Sequence, residues 1–143
     1  MSTAGWSKTR ADFKVEVTLE ATVALSEDPK KILGAMKNIL VENIVLEEGS
    51  SRTIKLVSEG ASSLNVLRDQ LRDRHIRGAA RKLLLSEMKG DSTSLMLNRQ
   101  AATVGVVALC SSADQSPLGP IYLTIRSKQI AAAIDWLATY EEG

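Results

Sequence analysis

The 143-residue chain is poor in several residue types, and each shortage removes a class of function. Aromatic residues make up 3%: Trp6, Phe13, Tyr122, Trp136 and Tyr140 are all of them. Proteins that hold single-stranded nucleic acid stack bases on aromatic rings, so a chain with few rings argues against that mode. Cys110 is the single cysteine, which excludes an internal disulfide and fits a reducing, cytoplasmic setting. His75 is the single histidine. With one His, one Cys and no CxxC, no metal site or nucleophile–histidine pair has recognisable spacing. No apolar run approaches the ~18 residues of a membrane span. The opening MSTAGWSKTR lacks the apolar core of a secretory signal, and residues 1–11 read as a flexible lead. No charge sign dominates either: 18 basic against 17 acidic residues leave +1. Any surface for a polyanion must therefore be local.

What remains is an ordinary globular composition, 44% apolar and 24% charged, with length for one domain over residues 12–140. DFKVEVTLEATVAL, residues 12–25, alternates with period two. Phe13, Val15, Val17, Leu19, Ala21, Val23 and Leu25 fall on one face, while Lys14, Glu16, Thr18 and Glu20 fall on the other. That predicts a long strand with one buried and one wet face, typical of antiparallel sheets. Its outer face between Thr18 and Ala24 carries only Glu20, so an edge position would invite pairing with a second copy, and a homodimer is expected.

SEDPKKILGAMKNILV then takes helical spacing, with Asp28 as N-cap, Pro29 at the first helical position and an apolar stripe from Ile32 to Leu40. NIVLEE and RTIKLVS read as a hairpin across GSS. Residues 62–89 predict two helices. Leu64, Leu67 and Leu71 form one stripe and Ile76, Ala79, Ala80 and Leu83 another, with a break near Asp73, which could cap the second. TSLMLN, TVGVVAL and PIYLTI predict three strands, and SKQIAAAIDWLATY a last helix. The order β-α-β-β-α-α-β-β-β-α is that of an α+β fold, a mostly antiparallel sheet with helices on one face.

Chemistry has two candidate seats. RDQLRDRHIRGAARK, residues 68–82, holds Arg68, Arg72, Arg74, Arg77, Arg81 and Lys82 against Asp69 and Asp73, a local +4. A helix begun near Asp73 would align Arg74, Arg77 and Arg81 on one side, where guanidinium forks suit phosphates. The same spacing also suits intrahelical ion pairs on a solvated face. Asn98, Arg99 and Gln100, between two apolar runs, are either a turn or a set of donors and acceptors for a sugar, base edge or phosphate. SPLGP reads as turn punctuation. No signature supports catalysis or a cofactor; Glu47–Glu48 and Glu141–Glu142 are adjacent pairs that face apart.

LNRQAA, SPLGPI and IDWLA, preceded by SEDPKKI and by LRDQLRDRHIRGAARKLL, resemble an uncharacterised archaeal family of predicted RNA-binding or exosome-associated proteins. The resemblance spans about residues 12–138. It implies a fold like that of the ribosomal protein that binds 5S ribosomal RNA. The matching positions are Asn98, Arg99, Gln100, Pro117, Leu118, Gly119 and Pro120, with Arg68, Arg72 and Arg81 on the helices. The family often has Lys where Arg99 stands. The expectation is a non-enzymatic accessory protein that takes structured RNA, within an RNA-processing complex. The alternative is a homodimeric protein-interaction module, with Leu118 or the first strand as the contact.

Overall fold

A computed structural model describes residues 14–40, 45–48 and 52–139, with the backbone alone for 45–48. The expected lead (1–11), Phe13 and the GSS turn lie outside the described residues. Strand β1 runs Glu16–Thr22, and its burial alternates as the period-two pattern requires. Val15, Val17, Leu19, Ala21 and Val23 are buried, whereas Lys14, Glu16 and Glu20 are exposed. The strand is shorter than the alternating run. The chain leaves the sheet after Thr22, and Leu25 sits in a turn at 88% exposure rather than in the core.

Six strands form one sheet in the order β2-β3-β1-β6-β4-β5, and every pairing is antiparallel. The others are β2 (Val45–Glu48), β3 (Thr53–Glu59), β4 (Ser92–Leu97), β5 (Leu109–Cys110) and β6 (Ile121–Arg126). β1 lies between β3 and β6, not at an edge. The expectation of an unprotected first strand therefore fails, because both its hydrogen-bonding sides are occupied. Register stacks Leu56, Leu19, Leu123 and Leu95 in one buried row, and Val17, Ile125 and Thr93 in the next.

Helices cover that face. α1 (Pro29–Lys37) starts as its residues dictate: the Asp28 carboxylate accepts from Lys30 N at 2.9 Å, and Pro29 needs no partner for a missing N–H. Ile32, Ala35, Met36, Ile39 and Leu40 are buried. α2 (Asn65–Asp73) follows a 3-10 turn at Ala61–Leu64, α3 spans Arg77–Ser86, and α5 (Ile130–Leu137) buries Ile130, Ile134 and Leu137. α3 turns Ala80 and Leu84 into the core and leaves Ala79 exposed, a rotation of the expected stripe.

Asp73 ends α2 but does not cap α3. The break is a C-terminal motif instead: His75 N donates to Arg72 O at 3.1 Å and Ile76 N to Leu71 O at 3.0 Å, with His75 left-handed at φ 57°. That 5→2 and 6→1 pair is the Schellman motif, whose left-handed residue is usually glycine. Replacing His75 by Gly should therefore raise stability by about 0.5–1 kcal/mol, since a side chain at positive φ is strained. Equal or lower stability in urea titration would contradict it.

One further element departs from expectation. TVGVVAL is not a strand; residues Arg99–Thr103 form a short helix, α4, and only Leu109–Cys110 joins the sheet. Its N-cap is Asn98, whose side-chain oxygen accepts from Ala101 N at 2.9 Å. The order is therefore β-α-β-β-α-α-β-α-β-β-α.

Candidate functional site

The arginine-rich segment separates into tied and open cations. Arg68 lies against α5: its Nε donates to Trp136 O at 2.8 Å, and its guanidinium stands 4.8 Å from the centre of the Trp136 ring. Burial, then the Arg72 charge, lowers its pKa from the ordinary guanidinium value. Arg81 reaches the same helix, 2.6 Å from the Asp135 carboxylate and 3.3 Å from Ala138 O. Both are cross-braces between α5 and the middle helices, and both are partly buried rather than fully open to solvent. Arg74 stands in the turn before α3, so Arg74, Arg77 and Arg81 do not form a row on one helix.

The exposed cations of this hairpin are Arg72, Arg74 and Lys82, with Arg77 half-buried. Arg72 contacts Asp73 at 3.0 Å and Asp69 at 3.5 Å, and the Asp73 hydrogen bond raises its pKa further. These pairs are half-exposed and weak, and a phosphate can displace such partners. Arg74 and Lys82 have no ion pair among the described residues. Arg72, Asp73, Arg74 and His75 are four consecutive exposed positions where α2 ends and the chain turns toward α3.

Asn98, Arg99 and Gln100 part company. Asn98 caps α4, and Gln100 is exposed, its amide 3.3 Å from Pro117 O. Arg99 is the correction: it is 2% exposed and cannot reach a phosphate. Its NH1 donates to Glu27 Oε1 and to Thr22 O, each at 2.7 Å, and its backbone N donates to Ser116 Oγ at 3.0 Å. Glu27 Oε1 also accepts from Ala24 N at 2.8 Å. One buried ion pair thus joins the end of β1, the turn before α1, the start of α4 and the SPLGP turn. In that turn Gly119 (φ 95°) passes 3.8 Å from Arg99 NH2, measured from where a Cβ would stand, and Leu118 takes φ 66° with its side chain outward.

Two residues outside both candidate seats complete this region. Gln70 on α2 gives Nε2 to Gly105 O at 2.8 Å and takes Val107 N at 2.7 Å, pinning the loop after α4. Asn38 at the end of α1 gives its amide to Ala102 O at 2.9 Å. Neither stands out in the sequence, and each reaches a partner far along the chain, 64 residues away for Asn38 and 37 for the Gln70–Val107 bond. Only the preference of Asn for helix ends offers a signal for Asn38.

Among the described residues nothing covers the sheet face opposite the helices, and that face is mostly polar. Glu16, Thr18 and Glu20 on β1 stand beside Arg126, Thr124 and Tyr122 on β6, and beside Glu59, Val57 and Lys55 on β3. Ser92, Ser94 and Met96 continue the rows on β4. The face is dished by a shallow hollow of about 300 Å³ lined by Thr18, Lys55, Thr124 and Arg126 among others. In these rows three glutamates outnumber two cations, which disfavours a polyanion. Cys110 is buried, and burial pushes its thiol pKa up, so it is no ready nucleophile. Among the described residues no group of three His, Cys, Asp or Glu could hold a metal, and no helix is long and apolar enough to cross a membrane.

These features define a class: a two-layer α+β protein whose helical side carries an exposed cationic turn and whose sheet side is open among the described residues. A family model described as RNA binding matches residues 16–127. The chain is 40% identical over 124 residues to a UPF0201 protein of Sulfurisphaera tokodaii, covering 85% of this chain and 86% of the relative. It is 37% identical over 129 residues to a UPF0201 protein of Pyrobaculum calidifontis, covering 88% and 89%. A crystal structure of a UPF0201 protein from Methanococcus jannaschii superposes with a TM-score of 0.71 at 28% identity, over 90% of this chain and 96% of that one. The chain belongs to this RNA binding family, the archaeal UPF0201 proteins.

Proposed function

We propose that the protein is a non-enzymatic RNA-binding accessory protein that takes structured RNA by its backbone. The observation that carries this reading is the exposed turn between α2 and α3, where Arg72 and Arg74 face solvent and Lys82 follows on α3. The description of the matching family supports it. Guanidiniums bind phosphate oxygens two at a time, and such contacts are indifferent to sequence. The scarcity of aromatics favours a double-helical target over stacked single strands. Gln100, exposed on α4, supplies an amide for a sugar or base edge, with Asn98 and Arg99 holding its helix in place. A cytoplasmic RNA-processing assembly, and a likeness to the 5S-binding ribosomal protein, belong to the same proposal.

The test is a salt titration of binding to an RNA duplex, a hairpin and a single strand. Arg72→Gln, Arg74→Gln and Lys82→Gln together should weaken duplex binding whatever its sequence. The log–log salt slope should become shallower by up to about one unit for each phosphate that the variant no longer neutralises. The wild type binding none of the three at ~50 mM salt, where non-specific electrostatic binding is still favoured, would remove RNA and leave a protein-interaction module.

A further inference from the structure

We infer that the open sheet face is the seat of a second copy of this chain, packed sheet to sheet about a two-fold axis that runs parallel to the strands between β1 and β6. The inference goes beyond the RNA reading and does not depend on it, since the cationic turn lies on the helical side.

The register makes the face complementary to itself. A two-fold in that position exchanges β1 with β6 and β3 with β4 across the interface. In the first row, Glu59, Glu16, Arg126 and Ser92 are neighbours in that order. The exchange sets Arg126 of one copy over Glu16 of the other. Within one copy these two already approach to 3.8 Å, while remaining half-exposed or more. Two copies therefore bring four charges into an alternating square, in which every neighbour has the opposite sign. Ser92 comes over Glu59 and can donate to it. In the next row, Thr18 meets Thr124 and Val57 meets Ser94, all short side chains that permit close approach. In the third, the Tyr122 hydroxyl comes over Glu20 and can donate to its carboxylate, and Lys55 lays its stem over Met96.

Across the interface no row sets like charges against each other, although Glu59 lies beside Glu16 within each copy. A face chosen for solvation alone needs no such order, and isologous contacts require it. The hollow beside Lys55 and Arg126 leaves room for those long side chains when a second sheet arrives. The six strands, two to seven residues long at about 4.8 Å spacing, offer roughly 500 Å² per copy. The total of about 1,000 Å² is at the lower bound for a specific interface, so the dimer is expected to dissociate on dilution through the micromolar range.

Sedimentation equilibrium of the full chain at about 5–200 µM, a range that brackets the dissociation expected of so small an interface, reads the result. The wild type should rise from the 15.5 kDa monomer toward twice that mass. Arg126→Glu and Glu16→Arg should each shift the midpoint at least about tenfold upward in concentration, the effect of setting like charges against each other. The double swap, Glu16→Arg with Arg126→Glu, should restore it. Thermal melting checks that each variant is folded. If a single swap fails to fold, Thr124→Lys, which puts a charge in the uncharged middle row, replaces it and must also give a monomer. A wild type that stays monomeric, single swaps that leave the dimer intact, or a double swap that fails to restore it would each overturn the inference. So would loss of duplex-RNA binding in Arg126→Glu at unchanged mass, which would assign the face to RNA.

Discussion

Arg99→Ala should lose about 3–5 kcal/mol of folding stability, the range for removing one partner of a buried ion pair. Glu27 is left in a site where it is 11% exposed, with Ala24 N as its remaining neighbour. Thr22 O loses a donor at the same time. Most of the loss comes from that stranded carboxylate rather than from the pair's own net worth, because desolvation offsets much of the attraction. A double variant, Arg99→Met with Glu27→Leu, should accordingly recover most of the stability. Arg99→Lys should fall between. Both side-chain bonds come from NH1, so one ammonium can serve them, and the Nε that has no partner among the described residues disappears. Urea denaturation of the wild type and these three variants decides the matter. Full stability in Arg99→Ala would show that the pair is dispensable; a double variant less stable than Arg99→Ala would reverse the argument.

Leu19→Ala should cost about 2–5 kcal/mol, the usual span for a large-to-small change in a closed core. Leu19 is fully buried on the central strand, with Leu56 and Leu123 directly opposite on either side. The strand cannot shift to fill the space, because both neighbours hold it in register by backbone hydrogen bonds. Thr18→Ala, one residue away on the open face, should change stability by no more than about 0.5 kcal/mol, as surface substitutions do. Equal effects from the two would mean that the strand is turned over, since a one-residue slip inverts every side chain.

Period-two alternation is legible in β1 because burial on one side only writes itself into every second residue, and the Asp28–Pro29 start of α1 is legible because caps are local chemistry. Strand order is not. Nothing within residues 16–22 states that β6, from the far end of the chain, will lie beside them. α4 does leave a trace: Asn98 as cap, then Arg-Gln-Ala-Ala, all good helix formers, then Gly105. The valines and Thr103 that follow favour a strand and mask it. Arg99 is the hardest to place. Arginine is almost never fully buried unless paired, and its partner Glu27 lies 72 residues away, in the SEDPKK segment, whose local signal is the cap of α1 and not an ion pair. Arg68 and Arg81 are hidden in the same way, since a charge run does not say which of its members face carbonyls on another helix.

The central place of β1 also bears on how the chain assembles. Its β3 partner follows within some forty residues, but Leu19 waits for Leu123, roughly a hundred residues downstream, to close its other side. A chain emerging from the ribosome therefore holds a half-made sheet with one raw edge for most of its synthesis, a state open to wrong pairing. High mean sequence separation of native neighbours slows folding into the millisecond-to-second range typical of such topologies. The last strand to arrive is inserted into the middle of the sheet rather than added to its rim, so a nascent chain stalled before Ile121 cannot complete the fold, however well its helices have formed.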